Sequence, residues 1–413
     1  MRRTLVAIIA AVLVATIVQP AQAAKPKKPG TVGLVSFVKA DYSRSTNRAS
    51  MTLDWANARR ATKYEVFMSQ SYSMKKAKKF TVRSSKIRVK NLIRGRDYFF
   101  QVRAVNGSRK GTKSSRVGHP TIVRPGATGR TLNVRVVTYN VCSDVCDKDG
   151  TARYTWLPKR QAAAHERILA SGADVVATQE AGKLATPAGY SLAVDVSAKR
   201  LFYKTSRFDL ATTTVPRPAE PPRDKNNCRP TYEWGQPTGH VFLGRHSKGC
   251  RYAVWAELVD KSTKRSVLFV NVHTVSGASK GAIANRLAEM NTLMANIKQT
   301  NTKKLPVVFA GDFNSHRNFS PDVVRSVMKQ NKFYDSFDLA RSLTRQHHNS
   351  FNAFTMAPRI GVKWGDHLDH VWVNPWTTRV DRWQNIALLR PNGRHTLPIP
   401  SDHDPIMVDL RIG

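Results

Sequence analysis

The chain has 413 residues, with 67 Lys and Arg against 28 Asp and Glu and a formal net charge of +39. That length allows two or three domains, and 41% hydrophobic residues with a mean hydropathy of −0.40 fit a soluble globular protein with a full core. The charge argues against a surface that is basic for solubility alone, because so large an imbalance also costs self-repulsion; it predicts attraction to nucleic acid, anionic lipid or an acidic cell envelope.

The first element is a signal peptide over residues 1–24. Arg2 and Arg3 precede an apolar run, and "AQA" offers a cleavage site after Ala23 or Ala24. The apolar run is short for a membrane span, so no stable span is expected after cleavage. The paired arginines lack a fuller twin-arginine pattern, which favours the general secretion route. A secreted chain, with association at the cell surface through its basic residues, is the expectation. Export favours pairing of Cys142, Cys146, Cys228 and Cys250. Of the three connectivities, Cys142–Cys146 and Cys228–Cys250 each close a local loop. The spacing shows no paired zinc knuckles.

A basic linker, "KPKKPG" (25–30), leads to residues 31–123. Here "ASMTLDWA" (49–56), "KYEVFMSQ" (63–70), "SKIRVKNL" (85–92) and "DYFFQVRAV" (97–105) alternate apolar and polar positions between turn residues. This predicts an all-β antiparallel sandwich. Trp55, Tyr64, Leu92 and Tyr98 stand where a fibronectin type III module carries its core tryptophan, third-strand tyrosine and leucine-to-tyrosine corner, and the segment resembles such a module. "RPGATGR" (124–130) reads as a second linker.

From 131 to 413 strands alternate with helices, which predicts an α/β layered domain. "TLNVRVVTYNV", "ADVVATQE", "RYAVWAELVD", "RSVLFVNVHTV", "LPVVFAGDFN", "HLDHVWVN" and "PIMVDLRI" read as strands. "KRQAAAHERILASG" and "GAIANRLAEMNTLMANIKQ" read as amphipathic helices, the second with Ile283, Leu287, Met290 and Met294 on one face. Polar residues recur at strand ends: Asn140, Glu180, His273, Asp312 and Asn314, with Asp369, Asp402 and His403 near two others. Strand ends are where layered α/β proteins place ligand groups.

"TYNV", "TQEA", "VNVHTVSG", "AGDFNS", "HLDHVWV" and "SDHDPI" come in the order and approximate spacing of the endonuclease/exonuclease/phosphatase superfamily, which this segment resembles. The resemblance implies a four-layer sandwich of two packed β-sheets flanked by helices. It also implies hydrolysis of phosphate esters with a divalent metal, magnesium or in its place manganese. Asn140 and Glu180 take the metal-holding positions, with Asp402 assisting. Asp312 and His403 activate water, Asp369 orients His403, and Asn314 and His273 donate to the developing phosphorane. Some relatives carry an aspartate where this chain has Cys142. Asp404 reads as a turn residue, His367 and His370 as plain histidines, and His347 and His348 as solvated loop residues.

The superfamily defines the reaction better than the substrate. Residues 25–130 hold 26 Lys and Arg against 4 Asp and Glu, so the sandwich is the stronger polyanion grip, centred on "MKKAKKFTVRSSKIRVK" (74–90). A secreted nuclease acting on nucleic acid is the first reading, with anionic envelope polymers as further partners of the basic module. A lipid phosphodiesterase of sphingomyelinase type or an inositol-phosphate phosphatase is the alternative, with "TYEWG" (231–235) and "DRWQN" (381–385) the only hints of membrane-inserting aromatics. A non-catalytic envelope-binding protein is the third.

Overall fold

The computed structural model describes residues 25–147, 156–216, 219–232, 236–246 and 249–413. The expected signal peptide and Glu233–Gly235 of "TYEWG" lie outside them.

The first eight strands are β1 (Ser36–Ser43), β2 (Arg48–Asp54), β3 (Lys63–Ser69), β4 (Lys78–Val82), β5 (Lys86–Leu92), β6 (Asp97–Asn106), β7 (Arg109–Lys110) and β8 (Val117–Pro120). Alternation along them turns Phe37, Leu53, Val66, Val89, Phe100 and Val102 inward. Each such side chain adds roughly 1.5–3 kcal/mol when fully buried. Trp55 and Tyr64 meet edge to face, their ring centres 5.4 Å apart. The Tyr98 hydroxyl accepts from Ile93 N at 3.0 Å and closes the corner after Leu92. These features make the N-terminal module an all-β sandwich of β1-β2-β5 against β4-β3-β6, with β7 and β8 on β6.

The larger domain runs β9 (Leu132–Asn140), α1 (Gln161–Ser171), β10 (Val175–Gln179), β11 (Tyr190–Val196), β12 (Lys199–Lys204), β13 (Phe208–Leu210), β14 (Thr238–His246), β15 (Gly249–Asp260) and β16 (Ser266–His273). It continues with α2 (Lys280–Thr300), β17 (Val307–Asp312), α3 (Val323–Gln330), β18 (Tyr334–Asp335), α4 (Ser336–Leu339), β19 (Ser342–Thr344), β20 (Asp369–Val373), β21 (Thr378–Asn385) and β22 (Ile406–Ile412). One sheet has the order β11-β12-β10-β9-β22-β21-β19, and the other β13-β15-β16-β17-β20-β18 with β14 on β15. Val136, Val175, Leu201 and Val408 of the first face Leu258, Phe269, Val308 and Val371 of the second in one apolar layer. Outside, α1 covers Val137, Tyr139 and Val176, while α2 and α3 cover Trp255, Val270 and Phe309.

Both cysteine pairs form as expected, Cys142–Cys146 and Cys228–Cys250.

The two domains share a sheet. β1 pairs with β19 through Lys39 and Ser342, with Ala40 N donating to Arg341 O at 2.9 Å, so β1-β2-β5 extends the first sheet to ten strands. Arg317 bridges Asp97 at 2.8 Å and Asp338 at 2.9 Å. Gly118 N donates to Lys363 O at 2.8 Å. Phe37, His119, Phe337, His367 and Trp383 form a chain of ring contacts 4.6–5.1 Å apart through the seam. Within the 124–130 segment, read as a linker, residues 124–127 are packed and residues 128–130 are exposed. Gly126 has φ +80°, and a Cβ there would lie 2.5 Å from Arg379 Cα.

Three expectations are corrected here. The buried face of α2 is Arg286, Glu289, Met290, Leu293, Met294 and Ile297, while Leu287 is 39% exposed and Ile283 half-buried. The helix is turned so that Arg286 and Glu289 clamp the backbone of Val275, both at 2.8 Å, and these partners make burial of the two charged groups tolerable. His347 is not solvated but buried, its Nε2 2.8 Å from Val35 O across the seam, and His348 is half-buried. Trp383 of "DRWQN" is buried in β21 and is not available for membrane insertion.

Candidate active site

Strand register gathers the site. β9 and β10 run parallel with Asn140 opposite Gln179, which sets Glu180 beside Asn140. β16 and β17 run parallel with His273 opposite Asp312, and antiparallel β20 sets Asp369 opposite Asp312 on its other side. Asp402 and His403 arrive on the loop before β22, which pairs with β9. A cleft of about 860 Å³ is lined by Asn140, Glu180, His273, Asp312, Asn314, Asp402 and His403, with Asp369 buried behind His403.

Within it, Asn140 Nδ2 donates to Asp312 Oδ2 at 3.0 Å and to Glu180 Oε1 at 3.3 Å, while its Oδ1 accepts from Cys142 N at 3.1 Å. Asn314 N donates to Asp312 Oδ1 at 2.9 Å and Asn314 Nδ2 to Thr274 O at 3.1 Å. His403 Nδ1 lies 2.7 Å from Asp369 Oδ2, and its Nε2 faces Asp312 Oδ2 at 3.8 Å. His273 Nε2 stands 3.6 Å from Asp312 Oδ2 and 3.8 Å from Glu180 Oε1. Glu180 and Asn314 have φ of 50° and 46°. Such left-handed backbone at two non-glycine residues costs about 1–3 kcal/mol each and is concentrated at functional sites.

The family model for the endonuclease/exonuclease/phosphatase family matches residues 137–403. The chain belongs to the endonuclease/exonuclease/phosphatase family. A fibronectin type III model matches residues 41–119. Among solved structures, the chain is similar to an endonuclease/exonuclease/phosphatase family protein from Bacteroides thetaiotaomicron (20% identity, 69% of this chain, 99% of that chain, TM-score 0.49). It is also similar to the mannosyl-6-phosphatase Bt3783 of Bacteroides thetaiotaomicron VPI-5482 (19%, 67%, 99%, 0.47). A third is D. rerio TDP2 complexed with single strand DNA product (14%, 67%, 98%, 0.45). No curated protein matches the chain in sequence.

Members of this family hydrolyse phosphate esters, typically with a divalent metal ion, and the residues present fit one. Glu180 and Asp402 line the same cleft, and burial followed by the Asp402 charge raises the Glu180 carboxyl above its ordinary value. A hard cation between such oxygens would relieve that repulsion. Asn140 would join them by turning its amide oxygen to the cleft, a rotation that exchanges Oδ1 and Nδ2. The Cys142 and Cys146 sulfurs lie near Asp402 but are consumed in their disulfide.

The deeper groups are polarised in opposite senses. Burial raises Asp312 to about 7, against the pull of His403. Burial opposes a charged His403 ring, yet Asp369 and Asp312 outweigh it and hold the ring well above its ordinary value. Burial, then the charges of Lys199, Arg251 and His403, press His273 well below its own. At neutral pH the centre therefore holds an imidazolium at His403, a neutral ring at His273 and a carboxyl at Asp312 poised to exchange a proton.

Asp404 faces away from the cleft and accepts from Asn352 Nδ2 at 3.0 Å and His395 Nε2 at 3.2 Å. His370 bonds Asp335 at 2.8 Å, and His367 lies in the seam. Among the cleft residues missed from sequence are Lys199, at the start of β12, and Arg251, beside Cys250. The only signal for Lys199 was the short "SAK" turn between two apolar runs.

Proposed function

We propose that the protein is a secreted, magnesium-dependent nuclease that hydrolyses phosphodiester bonds of extracellular nucleic acid. The arrangement of Asp369, His403 and Asp312 at the strand ends supports the hydrolytic part. Asp312, poised near neutrality, takes the proton of the attacking water. The His403 imidazolium, oriented by Asp369, donates to a non-bridging phosphoryl oxygen. The neutral His273 ring and the Asn314 amide add donors as negative charge develops there. The water oxygen bonds to phosphorus, the ester bond to the leaving oxygen breaks, the leaving oxygen takes a proton from solvent water, and Asp312 returns its proton to solvent. Glu180, Asp402 and Asn140 would hold magnesium, with manganese as a substitute, which neutralises phosphoryl charge when bound.

The observation that carries the choice of nucleic acid is a groove of about 880 Å³ between β4 and β5 of the basic module. Arg48, Lys78, Arg88 and Lys90 line it, its floor holds Met68, Phe80, Leu92 and Tyr98, and no carboxylate lines it. Cations around the half-buried Phe80 ring suit a strand of phosphates, with room for a base against that one ring. The same charge suits anionic envelope polymers as competitors for the module.

The test is one panel with magnesium: double-stranded DNA, single-stranded DNA, RNA, sphingomyelin and inositol phosphates. The reading expects nucleic-acid cleavage abolished by chelator. Turnover confined to lipid or inositol phosphate would overturn it.

A further inference from the structure

Lys199 and Arg251 stand in the cleft without an assigned task. The two-residue turn between β11 and β12 places Ser197 at φ 51° and Ala198 at φ 61°, left-handed without a glycine. Such a turn persists only where its surroundings impose it. Here Ala181 N, next to Glu180, donates to Ala198 O at 2.9 Å and latches the turn to the acidic wall of the cleft. Arg200 reinforces the latch through the carbonyls of Gly182 and Leu184. The result buries Lys199 to 4% exposure, its Nζ bonded to Ser197 O at 2.7 Å.

Arg251 begins the cleft side of β15, next to the Cys228–Cys250 disulfide, and its buried Nε has no hydrogen-bond partner among the described residues. Among the described residues neither side chain forms an ion pair. Burial comes first in lowering Lys199 and the repulsion from Arg251 second, while Glu180, Asp144 and Asp195 each act in the opposite sense and singly more weakly than Arg251. Two neighbouring cations, one of them buried, are costly without a compensating anion.

We infer that Lys199 and Arg251 form a second anion subsite beside the reacting centre, one that takes a non-scissile phosphate of the substrate. The inference rests on the phosphoesterase reading and narrows it. The preferred substrate carries two phosphates, one cleaved at Asp312 and His403 and the other held at Lys199 and Arg251. The next phosphate of a polynucleotide and the second phosphate of a small bisphosphate share this chemistry.

Calorimetry on the full chain tests it with adenosine 3′,5′-bisphosphate, adenosine 5′-monophosphate and a 5′-phosphorylated dinucleotide. The wild type should bind the bisphosphate about tenfold or more tighter than the monophosphate. Lys199→Met and Arg251→Met should bring the two affinities together, and Lys199→Arg should restore the ratio. A wild-type ratio near one, or a ratio kept in both Met variants, would overturn the subsite, the latter because overall charge would then explain it. The dinucleotide matching or exceeding the bisphosphate assigns the subsite to a polynucleotide, and a bisphosphate advantage over it assigns the subsite to small molecules. Magnesium-dependent hydrolysis of bis(p-nitrophenyl) phosphate is run beside it. Its absence removes the phosphodiesterase reading while leaving the binding ratio to be judged alone.

Discussion

His403 Nδ1 lies 2.7 Å from Asp369 Oδ2, and both residues are buried. The second Asp369 oxygen has no partner among the described residues, so the carboxylate is committed to the ring. His403→Ala should lower turnover by about a hundredfold or more. Asp369→Asn should reproduce much of that loss with the fold intact, because an amide cannot hold the imidazolium. Steady-state rates beside circular dichroism decide it, and wild-type rates in either variant would remove the pair from the chemistry.

Asp402 and Asp404 are neighbours with different surroundings. Asp402→Ala should raise the magnesium concentration needed for activity while leaving the melting temperature near wild type. Asp404→Ala strips acceptors from Asn352 and His395 and should cost about 1–3 kcal/mol of stability. Metal titrations and denaturant unfolding of both variants measure this, and identical behaviour would contradict it.

The seam should be sensitive to one methyl group. A Cβ on Gly118 would lie 2.7 Å from the Trp364 ring and 2.9 Å from Phe99. Gly118→Ala should therefore destabilise by about 1–3 kcal/mol through overpacking. Because the sheet is shared, both domains should lose stability together in a single thermal transition. Unaltered melting would mean that the seam opens freely.

Acid should loosen the same seam. Burial lowers His119 to about 4 and His367 to about 3, with Asp338 and Asp97 opposing and Arg317 assisting at His119. Unfolded imidazoles protonate near 6.5, so between there and about 4 the unfolded chain binds more protons and stability falls as pH falls. His119 contributes on the order of 3 kcal/mol across that window. His370 and His403, raised by their carboxylates, act in the opposite direction, losing stability as pH rises. Urea unfolding at pH 7.5 and 4.5 should therefore show a smaller change in His119→Gln than in wild type. An equal change would discount the ring.

Replacing Arg48, Lys78, Arg88 and Lys90 together by Gln should weaken binding of single-stranded DNA and flatten its salt dependence. Four lost phosphate contacts reduce the slope of log K against log salt by about 3. Filter binding with His403→Ala, which separates binding from cleavage, measures the slope. An unchanged slope would turn the groove towards another partner.

Most of the centre was readable from sequence because Asn140, Glu180, His273 and Asp312 interrupt apolar strands at their ends, where a polar residue has no packing reason to stand. Their mutual placement was not readable, since it depends on the parallel register of β9 with β10 and β16 with β17. Lys199 and Arg251 were hidden by abundance: in a chain of +39, one more cation carries no signal. The burial of Arg286 and Glu289 left no trace in the sequence, which shows their charges but not the Val275 backbone they clamp. The shared sheet was invisible for a similar reason, as Lys39 and Ser342 are ordinary polar residues whose pairing leaves no apolar pattern.

That shared sheet still has to end somewhere, and on the module side it ends at β5. An outer strand offers unpaired amides and carbonyls to any other strand, including that of a second copy. Lys86, Arg88 and Lys90 alternate along β5, and Lys78 and Lys79 mark the outer strand β4 of the facing sheet. Like charges would meet wherever two such borders tried to join. The residues proposed to draw in a polyanion would thus also guard against aggregation, and neutralising them for binding studies should make the protein more prone to self-association.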